Sequence, residues 1–247
     1  MKSVEKISLS HPLFIFLFIF FIPFNMAFAN EGVILLHGLC RSAASMSKMA
    51  DFLKQRGYVV LNYDYPSTTD TIENLSEKVI SDALSHESLR ECVRIHFVTH
   101  SMGGILVRSY FSRHIDQRPG RVVMIGPPNQ GSEVVDKIGN WWVFKKINGP
   151  AGEQLGTSKT SVPNTLGPVT FELGVIAGDR SVNWINSFLI NGPDDGKVSV
   201  ERTKAEGMKA HIVVHAVHPL IMVNKKVLQY TLTFLQTGTF HLENQKN

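Results

Sequence analysis

The strongest constraint on this chain is a repeated alternation of short apolar runs with stretches of helical periodicity. "GVILLH" (32–37), "YVVLNYDY" (58–65), "VRIHFVTH" (93–100), "RVVMIG" (121–126), "ELGVIAG" (172–178) and "HIVVHAV" (211–217) read as strands. "SAASMSKMADFLKQRG" (42–57), "TIENLSEKVISDAL" (71–84), "MGGILVRSYF" (102–111) and "NKKVLQYTLTFL" (224–235) read as helices. Continuous β-branched runs leave no polar face to turn toward water. The sheet they form must be covered by helices on both sides, and such sheets are parallel. The loops that follow parallel strands gather at one sheet edge, where ligands bind. Residues 127–170 interrupt the rhythm with Gly, Pro, Asn and Ser, and read as a loop-rich, lid-like insertion.

At 247 residues, 43% hydrophobic and 19% charged, the composition is that of one globular domain. A net charge of +4 without basic runs gives no electrostatic case for nucleic acid. Nothing in the sequence speaks to oligomeric state. The first residues read differently from the rest. Lys2 and Lys6 precede the 13-residue run "PLFIFLFIFFIPF", and "AFA" at 27–29 supplies the small residues of a cleavage site. This pattern predicts a signal peptide over 1–29, export to the periplasm or beyond, and a folded domain over 30–247. An uncleaved anchor is the alternative, although the run is short for a membrane span. The only cysteines, Cys40 and Cys92, fall at opposite edges of neighbouring strands, roughly 20 Å apart, which predicts two free thiols.

Ser101 stands in "HFVTHSMGGILVR", between a strand and a helix. A serine at such a bend is held in a strained backbone, and strand and helix approach so closely that small residues are needed two places to either side. Gly103 meets that need. Thr99 departs from it, and requires space beside the helix for its methyl and hydroxyl. The bland reading of Ser101 is a helix N-cap. A second motif, "VILLHGLCRSAASM", runs a buried strand into His37-Gly38 and a polar loop. There the N–H of Leu39 is aimed where a developing oxyanion would lie, with the N–H of Met102 as its partner.

With these two motifs in view, the chain resembles the α/β-hydrolase superfamily, in its secreted bacterial lipase and esterase-like branch, over residues 32–237. The resemblance implies a minimal version of that fold: about six mostly parallel strands, helices on both faces, and no cofactor. It also implies an acid and a histidine following the serine in order. His218 lies just past the last strand in "VHAVHPLIMVN" and is the expected base; His215, read as still inside the strand, is the alternative as a packed core histidine. For the acid, "GPDDGKVSV" resembles the family's acid segment and points to Asp195. Asp179 and Asp194 remain open, since Asp beside Gly and Pro also makes plain turns. His211 and His215, about 13 Å apart along a strand, are too distant to share a metal ion.

The resulting expectation is a serine esterase or lipase acting through an acyl-enzyme on a small-molecule or lipid ester. Its catalytic residues would be Ser101, Asp195 and His218. An acyltransferase with the same three residues, or a non-catalytic binding protein on the same fold, are the alternatives. His37 and His100 read as structural neighbours of the site. "DYPST" (64–68) and "PPNQGS" (127–132) read as its walls. "NWWVFKKIN" (140–148) offers Trp141, Trp142 and Phe144 as acyl-binding residues. It also allows transient contact with a membrane surface; the alternative is a loop anchored by its own aromatics.

Overall fold

The apolar runs form six strands: β1 (Glu31–Leu36), β2 (Val59–Tyr63), β3 (Arg94–His100), β4 (Val122–Ile125), β5 (Leu173–Gly178) and β6 (Ala210–Val214). The computed structural model describes residues 30–115, 117, 119–139, 141–182 and 189–241; the expected leader, 1–29, lies outside them. The strands make one sheet in the order β2-β1-β3-β4-β5-β6, and every adjacent pair is parallel.

Side chains alternate between the two faces, as the two-residue period of a strand requires. Ile34, Leu36, Phe97, Val122, Met124 and Val175 face α2 (Ile72–Leu84) and α3 (Met102–Arg113). Val33, Leu35, Val98, Val123, Ile125 and Ile176 face α1 (Ser47–Lys54) and α7 (Lys225–Thr237). Both sets are buried, which is why these runs show no polar alternation. Two of the helices, α2 and α7, begin where a side chain satisfies one of their first N–H groups. Thr71 accepts from the Asn74 N–H at 3.3 Å, and Asn224 accepts from the Lys226 N–H at 2.8 Å.

Residues 127–170 are more helical than their composition suggests. They contain α4 (Glu133–Ile138), α5 (Trp142–Glu153) and α6 (Val162–Thr165). The residues that look like loop signals sit where helices tolerate them. Ser132 and Ser161 precede α4 and α6, and Pro163 lies in the first turn of α6. Gly149, at φ 63° and ψ −171°, breaks α5 just before Pro150. Ala151, Leu155 and Val162 join the apolar cluster over α3, so this segment completes the layer on that face.

The register sets the site. Leu36 pairs with Thr99, and His100 with Ile125. The residues that leave β1, β3 and β4 therefore emerge side by side at one edge.

Candidate active site

Ser101 links β3 directly to α3 at φ 53° and ψ −125°. Among the described residues, only it and Cys40 are non-glycine residues with positive φ. Such a backbone costs about 1–3 kcal/mol and needs support from its surroundings. Here the Ser101 N–H donates to the Ile125 carbonyl at 2.9 Å, tying the bend to β4. A Cβ at Gly103 would come within 2.8 Å of the His37 carbonyl oxygen and 2.9 Å of that of Leu36. The helix thus leaves the strand in contact with the end of β1, and the third residue of the bend must be glycine. Thr99 finds its space elsewhere: its Oγ1 would lie 3.1 Å from a Cβ at Gly104. The second glycine of the pair makes room for the threonine, so the departure in T-H-S-M-G is compensated one turn later.

His218 opens a short 3-10 turn after β6 and is buried, as is Asp195. Its Nε2 lies 3.1 Å from Ser101 Oγ, and its Nδ1 lies 2.7 Å from Asp195 Oδ2. The other carboxylate oxygen, Oδ1, accepts the N–H groups of Lys197 at 3.0 Å and Val198 at 2.9 Å. A backbone bond, His218 N–H to the Asp195 carbonyl at 2.8 Å, fixes the two residues together a second time. With the imidazole proton on Nδ1, directed at the carboxylate, Nε2 is left as an acceptor facing the serine hydroxyl. Gly126, at the end of β4, adopts φ 58°, and a Cβ there would lie 3.1 Å from Asp195 Oδ2 and 3.2 Å from His218 Nδ1. The closeness of this pair to the sheet edge therefore depends on a glycine whose only trace in the sequence is its place at the end of a buried strand.

The two neighbouring histidines keep the structural places expected of them. His100 is buried, and its Nε2 lies 3.2 Å from the His218 carbonyl oxygen. Burial holds it well below the ordinary histidine pKa, with the His218 and Arg41 charges acting in the same direction. It is therefore neutral and able to donate one N–H to that carbonyl. His37 stacks on Tyr65 with ring centroids 4.1 Å apart. The Tyr65 hydroxyl donates to the His37 carbonyl at 2.6 Å, and the Cys40 N–H donates to Ser67 Oγ at 3.0 Å. "DYPST" thus holds the loop that carries Leu39. Met102 is the first residue of α3, where an N–H has no acceptor within its own helix.

A cavity of about 690 Å³ opens over Ser101. Leu39 and His218 line it beside the serine, and Val134, Val135, Ile138, Phe144, Ile147 and Leu155 give it an apolar wall from α4, α5 and the segment after α5. Trp141 also lines it, but Trp142 does not, contrary to its expected role in binding an acyl chain. The reason is helical geometry: residues three and four apart share a face, and Trp142, 73% exposed, turns to solvent. Trp141 is 64% exposed as well, so the two tryptophans do not anchor this segment, whereas Phe144 is half-buried against the cavity.

The other candidates fall into separate places. Asp179 pairs with His215 at 2.9 Å. His215 is not a packed core residue: β6 ends at Val214, and the His215 side chain is 72% exposed. Asp194 accepts the Gly196 N–H at 2.6 Å, a turn contact. His211 Nε2 lies 2.9 Å from Thr203 Oγ1. Cys40 and Cys92 are both free. Sequence reasoning missed the clamp on the Asp195 loop. Ser132 Oγ donates to the Lys197 carbonyl at 2.7 Å, and Arg202 Nε donates to Glu133 Oε1 at 2.6 Å. A buried Arg108 donates to the Asn129 carbonyl at 2.8 Å. No local spacing links Ser132 to Lys197 or Glu133 to Arg202, which lie 65 and 69 residues apart.

Comparisons with known proteins follow the same lines. The profile of the Alpha/beta hydrolase family matches residues 33–199, more than half of the chain. No curated protein sequence matches. Among solved structures, the mature form of the lipase BlEst2 from Bacillus licheniformis is 18% identical with a TM-score of 0.64, over 85% of this chain and 93% of that one. The phospholipase PlaB from Legionella pneumophila is 17% identical with a TM-score of 0.66; 85% of this chain is covered but only 60% of PlaB, so the match spans less than two thirds of that protein. A structure from the metagenome-derived lipolytic pair LipS and LipT is 16% identical with a TM-score of 0.59, over 84% of this chain and 94% of that one. At such identities the structural likeness concerns the fold. Together with the match of the family profile to residues 33–199, the six-stranded parallel sheet makes this chain a member of the alpha/beta hydrolase family, with the general activity of a hydrolase.

Proposed function

We propose that the chain is a serine hydrolase that cleaves carboxylic esters through an acyl-enzyme. The observation that carries this reading is the Ser101–His218–Asp195 relay, with contacts of 3.1 and 2.7 Å, opening on an apolar cavity. In this reading Ser101 Oγ attacks the ester carbonyl carbon while its proton passes to His218 Nε2. Asp195 keeps the imidazole in the required tautomer and stabilises the imidazolium. The carbonyl oxygen becomes an oxyanion held by the N–H groups of Leu39 and Met102, each donor typically contributing about 3 kcal/mol. Collapse breaks the bond to the alcohol oxygen, which takes the proton from His218 and leaves. Water then attacks the acyl carbon, giving a proton to His218; the bond from that carbon to Ser101 Oγ breaks, the imidazolium returns the proton to Oγ, and the acid leaves.

The apolar wall, with Trp141 and Phe144, supports an acyl-chain ester as substrate. The lipase and phospholipase likenesses point the same way. Exposed Trp141 and Trp142 favour transient contact with a lipid surface. Labelling with a fluorophosphonate tests the reading. The expected adduct is on Ser101, and Ser101→Ala should lose both the label and about 10⁴-fold or more of turnover on a p-nitrophenyl ester. A label on another residue, or a Ser101→Ala variant of ordinary activity, overturns it.

A further inference from the structure

We propose that Arg41 and Lys197 form a cationic rim on the cavity that selects esters whose alcohol half carries an anionic group, a phosphate or a carboxylate. This rests on the ester-hydrolase reading and adds to it a substrate class. Both residues line the cavity over Ser101, and both are exposed. They approach from different walls, Arg41 from the loop after β1 and Lys197 from the loop that carries Asp195.

Among the described residues, neither cation has a carboxylate within ion-pair distance. Among the described residues, the one carboxylate lining the cavity is Asp195, which is buried and already accepts from two backbone N–H groups and faces His218. The rim is therefore positive and uncompensated. Each charge reaches a cavity-lining group: burial is the main influence on both His100 and Cys40, and beside it the Arg41 charge acts on His100 and the Lys197 charge on Cys40.

A cleft with low-dielectric walls focuses such a field on whatever enters. The wall from α4 and α5 is mostly apolar and offers an alkyl chain contact, with no cation of its own lining the cavity. An ester that fills this wall with its acyl chain thus presents its alcohol half to the rim. A phosphate or carboxylate there gains charge-assisted hydrogen bonds that a neutral alcohol does not make.

The test compares dihexanoylglycerol with its phosphorylated counterpart, dihexanoyl phosphatidate, both as soluble monomers, and reads the ratio of their kcat/KM values. The wild-type protein is expected to prefer the phosphate-bearing ester. Arg41→Gln and Lys197→Gln should each reduce that preference roughly three- to fivefold, and the double variant about tenfold or more. Arg41→Lys and Lys197→Arg should retain most of it. Raising salt to about 0.5 M should weaken it as the rim is screened. Equal kcat/KM for the two esters in the wild-type protein overturns the proposal and leaves ester hydrolysis standing. So does a preference that appears only on long-chain anionic vesicles, because that would report attraction to a surface. A wild-type protein that cleaves neither ester overturns the ester-hydrolase reading, and this proposal with it.

Discussion

Asp195→Asn is the substitution whose consequence follows most directly from the hydrogen bonds. The carboxylate has two oxygens with different partners. Oδ1 accepts two backbone N–H groups, from Lys197 at 3.0 Å and Val198 at 2.9 Å, while Oδ2 faces His218 Nδ1 at 2.7 Å. An asparagine has one oxygen and one NH₂. If its oxygen stays with the two backbone donors, its NH₂ points at His218 Nδ1, which must then accept. The imidazole proton moves to Nε2, where the ring can no longer take the proton of Ser101. The opposite orientation preserves the tautomer but sets the NH₂ against two N–H donors. That forfeits two hydrogen bonds of about 1 kcal/mol each, so the unproductive orientation is favoured roughly 30-fold. Loss of the negative charge beside the imidazolium adds the rest. Together the expected fall in kcat is about 10⁴-fold, or roughly 5.5 kcal/mol, as for the same exchange in other Ser-His-Asp relays. The assay is kcat on a p-nitrophenyl ester, with a melting curve to establish that the variant is folded. Asp179→Asn is the control, since Asp179 pairs with the exposed His215 and should lose little. A folded Asp195→Asn variant within tenfold of wild-type activity, or a larger loss from Asp179→Asn, refutes the reasoning.

Two further outcomes follow from the packing. Gly103→Ala puts a Cβ 2.8 Å from a backbone carbonyl that cannot rotate away, and should cost about 2 kcal/mol or more, read as a lower urea midpoint; an unchanged midpoint contradicts the close approach drawn from β1. Stability should also fall on acidification. Burial lowers the pKa values of His37, His96, His100 and His211, so the unfolded chain, with histidines near 6.5, binds protons that the folded one does not. Stability is then full above about pH 6.5 and declines below it, by on the order of 1 kcal/mol for His100 alone at about pH 5.5. A urea midpoint that stays constant between about pH 7.5 and pH 5.5 refutes this.

The parallel sheet was legible because its signal is local. A strand buried on both faces needs an uninterrupted apolar run, and even the edge strands β2 and β6, only partly buried, keep enough of one to announce themselves within their own few residues. The bend at Ser101 was legible for the same reason, since Gly103 must stand two places from a residue in a forbidden backbone region. The insertion was less so. Gly149, Pro150 and Ser132 are residues of loops by composition, and their places at a helix break and a helix start depend on what α4 and α5 pack against.

The amino-acid sequence alone determined the layering, the edge at which a site would lie, and a short set of candidate residues: one serine, two aspartates beyond Asp195, His218 just past the last strand and His215 read as still inside it. It pointed to Asp195 but left Asp179 and Asp194 open, because an aspartate at the end of an apolar run or in a turn serves plain turn geometry as well. Only the tertiary structure sorted them, setting Asp195 in the buried company of His218 and Asp179 in the exposed company of His215. It likewise decided that Thr99 is accommodated by Gly104, that Trp142 turns away from the cavity, and that Arg41 and Lys197 stand together at its rim. The physical reason is range. Backbone preference and burial act over a few neighbours and are written in order along the chain, whereas a hydrogen bond between residues 101 and 218 exists only once the sheet brings the ends of its strands together.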